Sequence, residues 1–240
     1  MKKIITLFMT VSMFLTASLK AQNSGEVSYT FSYEKFKGEP KDEYEMSARM
    51  MADKTAEYAR LHLYRLKFNA YESYFDVEES LPIDDSEGAF PFNVSKFTFS
   101  NGIFYQNTKT NENLNQLTTM NELFLIEGNL RRDWQITHEH KRIGKYNCYK
   151  AILSCAGCDN NQEIVVWFTP EIPLAFGPAG LGGLPGLIVE ATKYRYTLSI
   201  KEIRYFEKDL TIDKPNEGKK VTAEDLKEMQ MKVRRNMTKG

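Results

Sequence analysis

The stretch LGGLPGLIVEA, residues 181–191, sets three glycines and one proline in a run that carries no charge before Glu190. It lacks the G-x-G-x-x-G spacing of dinucleotide-binding loops, and no lysine follows Gly186 as a phosphate-binding P-loop requires. It is also too short to span a bilayer. Glycine permits positive φ and close backbone approach, whereas Pro185 fixes φ. The stretch therefore predicts a rigid turn that leads into a strand at Leu187.

This turn belongs to a longer apolar segment, IPLAFGPAGLGGLPG, residues 172–186. One interpretation is a loop buried under a sheet, where it fills the mouth of a barrel; the other is an apolar lid or docking surface. In both, the loop owes its shape to Gly177, Pro178, Gly183 and Gly186. The second interpretation predicts a ligand or partner surface formed by Trp134, Trp167, Phe176, Leu184, Pro185 and Leu187.

Alternation of apolar and polar residues extends over most of the chain. Val27, Tyr29 and Phe31 share one face of a first strand, residues 27–33, and polar residues share the other. Asn101-Gly102 is the strongest hairpin signal, because a type I′ turn needs positive φ at both central residues. Further strands are predicted at 57–68, 73–77, 96–100, 103–108, 123–126, 134–137, 148–153, 163–168, 187–191 and 196–206.

Helical signals are few and lie near the C-terminus. Thr222-Ala-Glu-Asp225 has the form of a capping box, and an apolar stripe follows it at Leu226, Met229, Val233 and Met237. Strand patterns in series with one late helix predict a mainly β protein. We expect an antiparallel, strongly curved sheet or half-barrel with a C-terminal helix, and an α+β fold is the alternative.

The N-terminus has the pattern of a secretory signal peptide. A positive start, MKK, precedes an apolar stretch over residues 4–17, and cleavage is predicted after Ala21 or, alternatively, after Ala17. Residues 1–21 are thus the predicted leader, and residues 22–240 are predicted to form a single domain. Because no later apolar run is long enough to span a bilayer, we expect an exported protein with no membrane span.

Charge and composition argue against several function classes. The leader takes three lysines with it, so 29 basic residues remain against 32 acidic ones, and this balance does not favour nucleic-acid binding. No G-x-S-x-G nucleophile motif is present, and no residue stands out as catalytic. The sequence predicts no enzyme activity and no cofactor. Thirteen tyrosines and fifteen phenylalanines instead suit a large core or an aromatic binding surface.

Three cysteines and two histidines remain to be placed. In an oxidising compartment, a disulfide from Cys148 to Cys155 or Cys158 would staple a hairpin, whereas Cys155 and Cys158 alone form a CxxC pair. His138 and His140 share one strand face, a spacing that some metal sites use, although an exposed polar strand explains them equally. We therefore predict no metal site and keep the histidine pair as an alternative.

Motifs on both sides of the turn resemble a known family. The segments DWQITHEHKRIGKYNCYKA, residues 133–151, and IVVWFTPEIPLAFGPAGLGGLPGLIVEA, residues 164–191, carry them in order. They resemble the GLPGLI family, exported proteins of Gram-negative bacteria that are often encoded beside TonB-dependent outer-membrane receptors. The resemblance implies a location in the periplasm or at the outer membrane and a possible receptor partner. It implies no activity, because the family has none established.

A weaker likeness concerns architecture. The strands around IGKYNCYKAIL and EIVVWFTPEIPLAFG resemble a hairpin of lipoprotein-carrier-like half-barrels, which hold an acyl chain or peptide in an apolar concavity. Fold alone does not decide function. Three hypotheses follow. The first is an exported binding or accessory protein with an apolar cavity or rim for a lipid, a peptide or a transporter. The second is a metal-binding protein or hydrolase that uses His138 and His140, and the third is a purely structural envelope protein.

Overall fold

The computed structural model describes residues 24–78, 89–154 and 163–237. The predicted leader, Cys155 and Cys158 lie outside these ranges. Within them the chain forms twelve strands, three α-helices and a 3-10 turn at Pro178–Gly180. The elements in order are β1 Gly25–Tyr33, α1 Glu43–Ala59, β2 Leu63–Phe68, β3 Glu72–Glu78, α2 Ala89–Ser95, β4 Ile103–Asn107, β5 Glu112–Thr119, β6 Glu122–Asn129, β7 Gln135–Ile143, β8 Tyr146–Ser154, β9 Glu163–Thr169, β10 Leu187–Lys193, β11 Tyr196–Tyr205, β12 Lys219–Val221 and α3 Ala223–Met237.

All the described strands belong to one sheet, in the order β12-β6-β5-β4-β3-β2-β1-β11-β10-β9-β8-β7. Neighbours are antiparallel except β12 and β6, which run parallel. The sheet is not closed, since β12 and β7 lie at its two ends. No helix in the described part of the chain has the length and apolar character needed to cross a bilayer. The prediction of a mainly β, antiparallel fold with a C-terminal helix is confirmed.

The sheet curves strongly around the segment that joins β9 to β10. Phe104 of β4 and Ile164 of β9 border one cavity of about 330 Å³. These strands are six positions apart in the sheet order, which would separate them by about 29 Å in a flat sheet. Only a curved sheet brings them to the same cavity. The concave face therefore holds the main core, which includes Val27, Leu66 and Leu198.

Two sequence predictions in the first half are wrong. Residues 96–100 are not a strand: they follow α2 in a turn in which the amide of Phe97 donates to the carbonyl of Val94. Gly102, at φ 86°, leads into β4 and does not close a hairpin, because β4 pairs with β3 and β5. The alternation of KFTF reflects instead the burial of Phe99 against the core, while Phe97 stays exposed.

The helix content was underestimated. Residues 57–59, predicted as the start of a strand, form the last turn of α1, and the strand itself begins at Leu63. Asp42 caps α1 by accepting a 2.7 Å hydrogen bond from the amide of Glu45. Helix α2 and strands β5 and β12 were not predicted either. Helix α3 was predicted correctly, and its capping box forms: the Thr222 hydroxyl accepts from the Asp225 amide at 3.1 Å.

Candidate functional site

The loop between β9 and β10 packs inside the curve of the sheet. Phe176, Leu184 and Leu187 expose 2% or less of their surface. The loop folds back on itself, because the amide of Gly183 donates to Ala175 and the amide of Ile188 to Phe176, both at 2.9 Å. Three of the six predicted surface residues are therefore core residues, which no partner can reach.

The remaining predicted surface residues do not meet in one place. The indole nitrogen of Trp134 donates to the Gly182 carbonyl at 2.8 Å and so holds the loop. Trp167 is half-buried, with the Lys141 ammonium 4.3 Å from its ring centre. Pro185 is exposed at the tip of the turn. Of these three residues, Trp134 is thus tied to the loop by a hydrogen bond, and the predicted surface stays a prediction.

A single carbonyl anchors the loop to the opposite side of the sheet. The Gly180 oxygen accepts from Gln106 Nε2 at 2.8 Å, Asn113 Nδ2 at 3.1 Å and Arg132 Nη2 at 3.0 Å. Gly180 has a φ of 69°, and a Cβ there would lie 2.4 Å from the Phe104 ring. Position 180 therefore requires glycine, both for its backbone conformation and for the close approach of β4.

The predicted shaping residues have the same role. A Cβ on Gly186, at φ 156°, would lie 2.2 Å from the Thr169 carbonyl oxygen, and Gly183 adopts a φ of 82°. Gly177 would meet the Ile188 side chain at 2.7 Å. Pro178 is buried and starts the 3-10 turn. These contacts explain why the segment is rich in glycine without any ligand.

The histidine and cysteine candidates lie apart from the loop. His138 and His140 are exposed on β7, the last strand of the sheet. Across the described ranges, no three His, Cys, Asp or Glu side chains are grouped as metal ligands would be. Cys148 is buried, and burial raises the pKa of its thiol. Its predicted disulfide partners, Cys155 and Cys158, fall outside the described residues, so the disulfide stays a prediction.

A large open groove lies beside α1, and the sequence did not indicate it. Its main part, about 990 Å³, is bordered by Tyr33, Phe36, Ala52, Tyr194 and Tyr196. A second depression of about 390 Å³ continues from Ala52 and Tyr196 and is lined by Ala48, Met51, Thr55, Val94 and Phe97. We call the two together the α1 groove.

Exposed apolar side chains line this groove. Phe36 is 41% exposed, Met51 42%, Tyr194 51% and Phe97 57%. Residues 48, 52 and 55 of helix α1 fall on the one face of the helix that borders the groove, and their side chains are small. A depression therefore remains between the helix and the β10–β11 turn. A contiguous exposed apolar surface of this kind is typical of an interaction site.

Arginines fix the aromatic wall of the groove. Two guanidinium groups contact the Phe36 ring, with Cζ of Arg195 at 4.1 Å and Cζ of Arg49 at 5.3 Å from its centre. Arg49 also donates to the Gly38 carbonyl and to Glu45, both at 2.6 Å. These contacts tie the segment between β1 and α1 to the β10–β11 turn, so the groove is preformed.

Stacked tyrosines form the floor of the groove. Tyr33 and Tyr196 are paired across β1 and β11, with their ring centres 5.5 Å apart. Burial raises the pKa of both phenols. The Tyr33 hydroxyl and the Nε of Arg49 are buried without a hydrogen-bond partner in the described structure. The groove thus combines aromatic and charged lining residues with two donors that lack acceptors, a composition common in binding sites.

Sequence reasoning missed the groove because its residues are far apart in the chain. Tyr33 and Tyr196 meet only through the pairing of β1 with β11. The local signal was the pair of exposed methionines, Met50 and Met51, in a segment that was not assigned to a helix. Recognised as a helix, residues 43–59 would have shown apolar side chains on a face that the core does not need.

Comparison with known protein families gives one match, over part of the chain. A family model named Porph_ging, described as a protein of unknown function, matches residues 155–190, which include most of the loop. The match is consistent with the resemblance to the GLPGLI family and assigns no activity. No curated protein matches the chain.

Two solved structures of PNGF-II have a similar fold. The structure in space group C2 gives a TM-score of 0.52 at 18% identity, and that in P21 gives 0.53 at 19% identity. Each match covers 86% of this chain but only 32% or 33% of the PNGF-II chain. This chain therefore spans about a third of the length of PNGF-II. At this identity the likeness supports the β-rich fold alone.

Proposed function

We propose that this chain is an exported binding or accessory protein that docks an extended apolar peptide segment of a partner in the α1 groove. The single observation that carries the proposal is the preformed, exposed aromatic lining of that groove. Export is supported by the signal-peptide pattern of residues 1–21. A TonB-dependent outer-membrane receptor is the proposed partner because of the resemblance to the GLPGLI family.

The chemistry of the groove favours a peptide over a lipid. Its lining mixes aromatic rings with charged groups from Glu34, Arg49 and Arg195. The carbonyls of an extended peptide would provide acceptors for the Tyr33 hydroxyl and for Nε of Arg49, neither of which has a hydrogen-bond partner in the described structure. An acyl chain would leave those donors unsatisfied. Aromatic and methionine side chains also adapt to peptide side chains of different shapes.

A photo-crosslinking amino acid placed at position 51 tests the proposal in native cells. The same amino acid at position 136 is the matched control, because Ile136 is an exposed apolar residue of β7, outside the groove. We expect the position-51 probe, but not the position-136 probe, to label one segment of one partner. That segment is then synthesised as a peptide and titrated by calorimetry.

The titration distinguishes specific docking in the groove from nonspecific crosslinking. We expect the peptide to bind the unaltered protein and to bind Met51→Glu and Phe97→Glu about tenfold more weakly or worse, because a charge in an apolar contact must be desolvated. Ile136→Glu should bind normally. Equal binding by all variants, or equal labelling from positions 51 and 136, would contradict the proposal. Because Met51 and Phe97 are exposed, these substitutions should change the free energy of unfolding by less than about 0.5 kcal/mol.

A further inference from the structure

A second cavity lies inside the curve of the sheet, away from the α1 groove. It is about 330 Å³ in volume, at the lower end of the range for small-molecule pockets. Its apolar wall consists of Phe99, Phe104, Ile164 and Leu181, so the glycine-rich loop forms one side. We call it the interior pocket. Its described lining shares no residue with the α1 groove.

Two cationic side chains border this pocket without a described counter-ion. Arg132 donates from Nη2 to the Gly180 carbonyl at 3.0 Å. Lys193 has its ammonium group 5.7 Å from the Tyr194 ring centre. Within the described ranges no carboxylate pairs with either, and no acidic residue is among those that line the pocket. Burial lowers the pKa of both groups. A desolvated cation without a counter-ion is costly, and such a group at the edge of a cavity is a candidate for binding a negative charge.

Several polar atoms in the lining of the same pocket also lack hydrogen-bond partners in the described structure. The hydroxyl of Ser100, a residue that is 7% exposed, has no hydrogen-bond partner in the described structure, and neither has Nε of Arg132. The Oδ1 atom of Asn115 is buried without a donor. Native proteins rarely leave several such groups unsatisfied in one place. The lining of the pocket therefore combines apolar side chains with two unsatisfied donors, the Ser100 hydroxyl and Nε of Arg132, and one unsatisfied acceptor, Oδ1 of Asn115.

We propose that the interior pocket binds a small organic anion with an apolar body. The negative head group, a carboxylate or a phosphate monoester, lies between Arg132 and Lys193 and accepts from the Ser100 hydroxyl. Either head group has enough oxygen lone pairs for the donors that have no partner. The apolar body packs against Phe99, Phe104 and Leu181. The loop thus contributes part of the pocket wall, although its most buried residues do not line the pocket.

Isothermal titration calorimetry with chemically matched probes tests this proposal. Octanoate and octyl phosphate carry the two candidate head groups on the same chain, and octanol is the neutral control. We expect at least one of the two anions to bind the unaltered protein, and octanol to bind about tenfold more weakly or worse. The tighter of the two anions identifies the head group.

Lys193→Met is the decisive variant, because methionine keeps the apolar stem and removes the charge. Affinity for the anion should fall about tenfold or more in Lys193→Met and remain unchanged in Lys201→Met, which removes an exposed lysine of β11 outside the pocket. Met51→Glu, in the α1 groove, should bind the anion normally. The proposal is overturned if neither anion binds, if octanol binds equally well, or if Lys193→Met retains full affinity.

Discussion

Replacing Leu184 with alanine tests whether the loop belongs to the cooperative core. Leu184 is 2% exposed. The amide of Gly183 donates to the Ala175 carbonyl and the amide of Gly186 donates to the Leu184 carbonyl. These hydrogen bonds limit how far the backbone can move to fill a cavity at position 184. Buried leucine-to-alanine substitutions cost about 2–5 kcal/mol, and we expect about 3 kcal/mol here. That is a large fraction of the stability of an ordinary domain, about 5–15 kcal/mol.

Leu61→Ala is the matched control, since Leu61 is 54% exposed and should cost less than about 1 kcal/mol. Urea unfolding followed by tryptophan fluorescence measures both variants, and Trp134 reports on the loop through its hydrogen bond to Gly182. With a slope of about 2–3 kcal/mol per molar urea, Leu184→Ala should lower the midpoint by about 1–1.5 M. Equal midpoints for the two variants would refute the assignment of the loop to the core.

Three further predictions concern buried polar groups and metal binding. Gln106→Leu removes a donor to Gly180 and the acceptor of the Ser73 hydroxyl, so it should cost about 1–3 kcal/mol in urea unfolding, and a cost under about 0.5 kcal/mol would show that the anchor is dispensable. Burial lowers the pKa of Lys193 from its ordinary value of 10.5. Between the folded-state pKa and 10.5, the unfolded chain therefore binds more protons than the folded chain, and the free energy of unfolding should rise with pH across that window. Lys193→Met should lose this rise and be more stable at neutral pH; an unchanged pH profile would mean that Lys193 carries no burial penalty. His138→Ala with His140→Ala should leave zinc uptake in equilibrium dialysis unchanged, and a loss of one zinc ion per chain would restore the metal-binding alternative.

Local sequence patterns predicted most of the sheet, whereas helix α1, the burial of the loop and the α1 groove were not evident from such patterns. Strand β1 was predicted because its alternation follows from one buried face. Helix α1 was missed because only its C-terminal part is buried, at residues 55, 56, 58 and 59, which gives a weak apolar stripe. The signal that marked its start was Asp42 with Glu45, a capping pair that lies before a run without strong periodicity.

The sequence predicted that the loop is rigid but not whether the loop is buried. Glycine spacing predicted a rigid segment, and Gly180 and Gly186 do have the positive φ that only glycine adopts easily. Burial, however, depends on Gln106, Asn113 and Arg132, which lie 48 to 74 residues earlier and converge on Gly180 only in the folded sheet. The α1 groove depends in the same way on the pairing of β1 with β11.

Methionine oxidation provides the most direct measurement of whether the α1 groove is occupied in the native cell envelope. Met50 and Met51 are neighbours on α1, exposed by 66% and 42%, but only Met51 lines the groove. In purified protein, peroxide should oxidise both. In intact cells, we expect the ratio of Met51 to Met50 oxidation to fall severalfold, and the Phe97→Glu variant to restore the purified-protein ratio. An identical ratio in cells and in purified protein would contradict a docked partner.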